Sequence, residues 1–306
     1  MSIVRYERLD DILRDADIAM YNAKVSGKNR FKVFNIQMQE EAADTLNLEM
    51  GLRNGLRNGD FRVYYQPIFS LEPRMITGFE ALLRWEHPER GLLYPADFMR
   101  AAEETGLIVP IGQWVLGQAC LQMKQWQMLF TMQPPLTISV NLSSRQFAQP
   151  DLSQQIEKVL KETGLPAKSL LLELTERTLT EDIETAIGKI EHLQAIGIGV
   201  EIDDFGTAYS SLGYLGRLSA CNLKISRSVV STLGVSQSGV PILRAIMAVA
   251  NGLDMKVIAQ GIETEDQINS LVDLQCDYGQ GFLFATPIDG DAAQKLLYGA
   301  FSTQRH

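Results

Sequence analysis

The chain has 306 residues, 45% of them hydrophobic and 21% charged. That composition excludes a disordered, collagen-like or disulfide-stapled protein, and a chain of this length buries about three quarters of the surface it would expose unfolded. The net charge of −9, from 37 acids against 28 Lys and Arg, excludes nonspecific adhesion to a nucleic-acid polymer or an anionic membrane.

Cys120, Cys221 and Cys276 are widely spaced and form no C-x-x-C pair. They read as buried small hydrophobes of a reducing compartment. His87, His192 and His306 are scattered, which leaves a histidine-based zinc site without support. The N-terminal MSIVRYERLDDILRD lacks the apolar core of a signal peptide. The apolar region around 107–130 is interrupted by Gln113, Gln118, Gln122, Lys124 and Gln125, as in an amphipathic or buried helix and not a membrane span. A cytoplasmic location is expected, with any membrane anchor of the parent protein outside this chain.

In chain order, Ala16, Ile18, Ala19 and Ala23 make a helical stripe from Asp15 to Lys24, and FKVFN (31–35) reads as a short strand. A second helix is predicted from about Gln37 to Arg57, ending at Asn58-Gly59. One helix and one strand cannot bury a core, so this front part reads either as an extension or as the tail of another domain. From residue 61 the pattern changes to strand and helix in alternation. Strand runs are FRVYYQPIF (61–69), MITGFEALLRW (75–85), LTISVNL (136–142), SLLLELT (169–175), IGVEID (198–203), CNLKIS (221–226), MKVIAQ (255–260) and GQGFLFA (279–285). Helical patterns at 151–163, 181–195, 228–252 and 264–274 lie between them. Eight strands with intervening helices predict an α/β fold of the (β/α)8 barrel type. A doubly wound sheet would usually bring a Gly-rich turn after the first strand, and none is present. The short LEPR turn between the first two runs predicts a hairpin, hence an irregular start to the barrel.

Polar residues interrupt these apolar runs at one recurrent place: Glu80 lies in the second run, Asn141, Glu173, Asp203 with Asp204, Lys224 and Gln260 at or near the ends of the next five, and Gln280 at the opening of the last. In a (β/α)8 barrel those ends form one ring, from which catalytic groups come. Packed carboxylates repel unless a cation sits among them, and hard oxygen ligands without His or Cys favour Mg2+ or Mn2+. Lys224 alone would also suit a Schiff base, but that chemistry needs no such number of acids. Arg84, four residues after Glu80 and on the same strand face, can meet a phosphate. Acids, a cation and a lysine together point to metal-assisted phosphodiester hydrolysis.

The run FEALLRW, with Glu80-Ala81-Leu82, resembles the signature of the EAL domain, the family of cyclic di-GMP phosphodiesterases. The resemblance continues through SVNLS, LELTE, IDDFGTAYSSLGYL, LKIS, AQGIET and GQGFLFATP, in order over about residues 40–300. It implies a modified TIM-like barrel with one antiparallel strand at its start. RDADIAMYNAKVSGKNRFKVF resembles the closing helix and strand of a GGDEF (diguanylate cyclase) domain whose signature would lie upstream, so no cyclase activity is expected. The implied division is a GGDEF remnant at 1–35, a linker helix at 36–58 and an EAL domain at 59–300, with GGDEF and sensory domains missing upstream.

The resemblance implies that Glu80, Asn141, Glu173 and Asp203 bind a first Mg2+ or Mn2+, and that Asp203 and Asp204 hold a second. Lys224 would contact the attacking water, Arg84 a phosphate, and Glu176 would steady the loop after Asp204. Leu82, Glu263 and Gln280 would complete the pocket. The reaction would open cyclic di-GMP to linear pGpG, and homodimerisation is expected from the family.

Three positions depart from the family pattern. The seventh-strand Glu-Gly-Val-Glu is here Gln260-Gly261-Ile262-Glu263, the sixth-strand Lys-x-Asp is Lys224-Ile225-Ser226, and the loop Gly-Thr-Gly is Gly206-Thr207-Ala208. Gln260 and Ser226 each remove an acid near the second metal, a loss that typically costs about 10–100-fold in activity or affinity. Ala208 would be strained wherever the loop needs a positive φ. The expectation is a cyclic di-GMP-binding EAL domain with hydrolysis weakened or lost. An active phosphodiesterase is the alternative, and a nucleotide-independent interaction module is disfavoured by the intact EALLR, NLS, LELTE and DDFG motifs.

Overall fold

A computed structural model describes residues 8–25, 31–206, 213–218, 222–233 and 239–303 of the chain. Cys221 and Ala208 lie outside the described residues. Two helices lead in, α1 (Leu9–Val25) and α2 (Ile36–Asn58). The Asn35 side chain accepts a hydrogen bond from the Met38 N–H to start α2, and Gly59 at φ +74° ends it. The strand expected at 31–35 is not formed. Phe31 and Val33 are exposed and no described strand pairs with them. Strand-like alternation cannot hold an extended segment without a neighbouring ladder.

Helix α2 is seated on the barrel through Gly51 and Gly55, where an added Cβ would stand 2.9 Å and 2.8 Å from the Trp85 ring. Fully buried Leu52 lies between them in sequence. The missing side chains let the helix backbone approach the indole closely.

Strands β1 (Phe61–Ser70) and β2 (Ile76–His87) form the predicted antiparallel hairpin, with Gln66 opposite Glu80 and Tyr64 opposite Leu82. A short β3 (Gly91–Leu93), absent from the sequence reading, pairs only with the end of β2. From β2 the sheet runs parallel through β4 (Thr137–Asn141), β5 (Leu170–Thr175), β6 (Gly199–Phe205), β7 (Asn222–Ile225), β8 (Lys256–Ala259) and β9 (Tyr278–Gly279). Strand β9 pairs antiparallel with β1 and closes the ring. The fold is the expected TIM-like barrel, with β1 antiparallel to both neighbours.

The last strand is much shorter than the run 279–285 predicts. After Gly279 the chain turns back on the loop following β8: Ile262 N–H donates to the Gln280 carbonyl, and Leu283 N–H to the Ile262 carbonyl. A Cβ on Gly281 would lie 2.1 Å from the Ile262 carbonyl oxygen, so only glycine permits this crossing.

The outer layer contains α3 (Pro95–Thr105), α4 (Ile108–Leu129), α5 (Ser144–Phe147), α6 (Leu152–Thr163), α7 (Glu176–Thr180) and α8 (Ile183–Ala195), followed by α9 (Arg227–Val230), α10 (Gly239–Gly252), α11 (Glu265–Asp273) and α12 (Gly290–Thr303). The helical pattern at 228–252 is therefore not one helix, since a turn at 231–233 follows α9. Helix α4 is the amphipathic helix expected at 107–130, and among the described residues no helix is long and apolar enough to cross a membrane. Buried Cys120 and Cys276 are free thiols, each pushed up to about 12 by burial.

Alternation along the strands decides where the chemistry sits. On β4, Ile138 and Val140 alternate with Ser139 and Asn141; on β6, Val200 and Ile202 alternate with Glu201 and Asp203. Leu223 and Ile225 alternate with Asn222 and Lys224 on β7. Successive strand side chains face opposite sides. One phase is fully apolar, and the polar phases of different strands meet one another across the axis.

Candidate functional site

Lys224, with no exposed surface, is the hub of the site. Its Nζ lies 2.9 Å from Glu80 Oε2, 2.6 Å from Glu173 Oε1 and 3.9 Å from Asp203 Oδ1. Burial alone would lower its pKa, but the charges of Glu173, Glu80, Asp203 and Glu201 outweigh that and hold the ammonium well above its ordinary value. Strands β2, β5, β6 and β7 each contribute one member of this cluster, as ring closure requires.

Glu80 is the best-partnered acid. Its Oε1 accepts from Asn141 Nδ2 at 2.9 Å, and its Oε2 accepts from Lys224 Nζ at 2.9 Å and Gln280 Nε2 at 2.6 Å. Burial pushes its carboxyl up, yet Lys224 and these donors together hold it below the usual range. Glu173 is the opposite case. It is buried, Nζ meets its Oε1 outside hydrogen-bond alignment, and its Oε2 has no hydrogen-bond partner among the described residues. Burial first, then Glu80, with Asp203 and Glu201 adding, raises its pKa well above normal against the pull of Lys224.

Asp203 Oδ1 accepts a 2.9 Å hydrogen bond from Gln260 Nε2. Asp204 follows at φ +54°, a left-handed conformation that Asp tolerates better than most residues. The resulting break in alternation lets both neighbours serve one site: Asp203 joins the ring while Asp204 lines the cavity above it. Burial and the adjacent Asp203 raise the pKa of Asp204.

That cavity, of about 260 Å³, opens at the C-terminal ends of the strands and is lined by Glu80, Leu82, Asp204, Gln260, Glu263 and Gln280, together with Gln66, Arg227 and Phe282. Glu263 pairs with Arg227 at 2.5 Å. Arg84 lies farther along β2, buried, its guanidinium donating to the Leu83 carbonyl at 2.8 Å. Glu176 stands outside the ring at the start of α7, beside Tyr214, whose phenol is raised by burial and then by the Glu176 charge. Ser226 is buried, but its hydroxyl meets Ser228 at 2.8 Å and makes no bond to the acids.

Sequence reasoning overlooked Glu201. It is fully buried, with Oε2 accepting from Ser139 Oγ at 2.9 Å and Oε1 from Asn222 Nδ2. The signal was present, because Glu201 precedes Asp203 by two residues and so shares its strand face. Attention to strand ends alone missed the layer beneath them.

The residues fit a hard divalent cation in donor chemistry. Glu173 Oε2 and Gln280 Oε1 are buried without hydrogen-bond partners among the described residues, amid carboxylate and amide oxygens. Among the described residues no three acids, His or Cys stand around one open point, since the carboxylates are gathered on Lys224 instead.

The EAL-domain family profile matches residues 50–287. Among curated proteins, the chain is 41% identical over 287 residues to the bifunctional diguanylate cyclase/cyclic di-GMP phosphodiesterase MucR of Pseudomonas aeruginosa, covering 94% of this chain and 41% of that protein. It is 35% identical over 291 residues to the cyclic di-GMP phosphodiesterase NbdA of the same organism, covering 95% and 37%. The chain thus spans about two fifths of the length of these relatives. Among solved structures, the MucR phosphodiesterase in complex with c-di-GMP superposes with a TM-score of 0.77 at 41% identity, over 81% of this chain and 99% of that one. The EAL enzyme Bd1971 with cAMP and cyclic di-GMP bound gives 0.81 at 30% identity, over 95% and 76%. The motifs, the barrel and these matches agree, and the chain belongs to the EAL-domain family.

Proposed function

We propose that this chain binds cyclic di-GMP at the mouth of the barrel and hydrolyses it slowly or not at all. The observation that carries the reading is the 2.9 Å hydrogen bond from Gln260 Nε2 to Asp203 Oδ1. Asp203 is the one carboxylate common to both proposed metal sets, and its neighbour here is a neutral donor, not a second acid. The amide and the nearby Lys224 ammonium satisfy Asp203 without a metal, so the drive to bind a second metal is reduced.

In this reading Glu80, Asn141, Glu173 and Asp203 hold one Mg2+ or Mn2+, and Asp203 with Asp204 holds the weakened second. Such ions, when bound, activate a water and neutralise phosphate charge. Lys224 orients the water with its ammonium, Arg84 grips a phosphate, and Leu82, Glu263 and Gln280 shape the pocket. Glu176 acts through Tyr214 on the loop after Asp204. The same reading takes 1–35 as a GGDEF remnant, 36–58 as a linker helix and 59–300 as the EAL domain of a cytoplasmic homodimer. The alternative, a working phosphodiesterase, draws on the gathering of Glu80, Glu173 and Asp203 around one lysine and on Glu263 lining the same cavity as Gln260.

Calorimetric titration of cyclic di-GMP with and without Mn2+ tests the binding claim. The wild type is expected to bind, more tightly with the metal, and Glu80→Ala to lose the metal-dependent gain while retaining a folded barrel by circular dichroism. Unchanged metal enhancement in Glu80→Ala would contradict its assigned role.

A further inference from the structure

The Arg84 guanidinium lies within cation–π range of two tyrosine rings. Its Cζ lies 4.8 Å from the centroid of the Tyr94 ring and 5.4 Å from that of Tyr64. The arrangement follows from backbone register. Tyr64 pairs with Leu82, two residues from Arg84 on the same face of β2. Leu93 pairs with Trp85, so the next residue, Tyr94, turns to the face that Arg84 occupies. Tyr94 then starts α3, with its backbone N–H donating to Asp97 Oδ2 at 2.8 Å.

Arg84 is buried, with no salt bridge to an acid and one hydrogen bond to a backbone carbonyl among the described residues. A buried arginine normally pairs with a carboxylate. Stacked aromatic faces attract the cation electrostatically without neutralising its charge and without using its N–H groups. A carboxylate in their place would compete with an anionic ligand for those donors.

We propose that Tyr64 and Tyr94 are positioning residues for ligand recognition, fixing the Arg84 guanidinium by cation–π contact so that the N–H groups not spent on the Leu83 carbonyl are left for a phosphodiester. The inference rests on the reading of the barrel mouth as a cyclic di-GMP site. It adds that the cation there is fixed by aromatic stacking, and that Tyr94 acts through Arg84.

The test compares Tyr94→Phe and Tyr94→Ala in two measurements. Tyr94 is 54% exposed and its capping contacts are made by its backbone, so both variants should fold. In ligand-free protein, the Arg84 Nε–H resonance, assigned through Arg84→Lys, should be shifted by ring currents in wild type and in Tyr94→Phe. It should move toward the free-arginine position in Tyr94→Ala. In cyclic di-GMP titrations, Tyr94→Ala should bind about 3- to 10-fold more weakly, with Tyr94→Phe within about twofold of wild type. An unmoved Arg84 resonance in Tyr94→Ala would overturn the positioning role, as would equal weakening in Tyr94→Phe, which would assign the effect to the hydroxyl. If the wild type binds no nucleotide, the site reading fails, and the resonance measurement decides the cation–π contact by itself.

Discussion

Replacing Lys224 with Met is expected to destabilise the metal-free protein by about 3–5 kcal/mol, because it leaves buried carboxylates without their counter-charge. The lysine has no exposed surface and lies within ion-pair distance of Glu80, Glu173 and Asp203. Methionine approximates its length and removes only the ammonium. Part of the loss should be avoided by protonation of Glu173, whose pKa is already raised by burial and by the neighbouring acids. The deficit should therefore shrink as pH falls. Mn2+ should raise the stability of Lys224→Met more than that of wild type, since the oxygens released by the ammonium become ligands for the cation. Urea unfolding at two pH values, with and without Mn2+, measures all three effects. A wild-type-like midpoint in the metal-free variant would show that Lys224 is not the electrostatic centre of the barrel mouth.

The second large effect concerns Gln260→Glu, where the sign depends on the metal. Without a cation, the substitution removes the donor to Asp203 Oδ1 at 2.9 Å and sets a carboxylate in its place. The cost is about 1–3 kcal/mol for the lost bond to a buried acid, with like-charge repulsion added. With Mn2+, the same oxygen becomes a ligand or a neighbour of one, and metal affinity should rise about 10–100-fold. Gln260→Glu should thus melt below wild type in chelator and gain more stability than wild type from saturating Mn2+. Equal metal affinity in the two proteins, also after adding Ser226→Asp, would remove the explanation offered for weak hydrolysis. The hydroxyl of Ser226 bonds within the first turn of α9, so Gln260 is expected to carry most of the effect.

Much of this arrangement is legible in the sequence because barrel strands advertise themselves twice. Apolar runs such as TISVN and GVEIDDF identify the strands, and the polar residue that breaks each run marks the end facing the site. Glu80, Asn141, Glu173, Asp203, Lys224, Gln260 and Gln280 are joined in one hydrogen-bonded and ion-paired group. What the sequence conceals depends on contacts between distant segments. Phe31 and Val33 alternate like a strand but have no partner among the described residues. The run after Gly279 is apolar enough for a strand, but its hydrogen bonds go to Ile262 instead. Tyr94 belongs to neither strand nor helix pattern, and only the β2–β3 register reveals that it stacks on Arg84. Glu201 lies in plain sight within a strand run, but its place among Ser139 and Asn222 depends on neighbouring strands being in register.

The most direct test of the central claim is a product assay. Wild-type protein is incubated with excess cyclic di-GMP and Mn2+ for hours, the nucleotides are separated by chromatography, and Gln260→Glu is run in parallel. Wild type should retain intact cyclic di-GMP on the protein with at most a trace of pGpG, and Gln260→Glu should produce more. Rapid conversion to pGpG over many turnovers by wild type would contradict the account and make this chain a working phosphodiesterase.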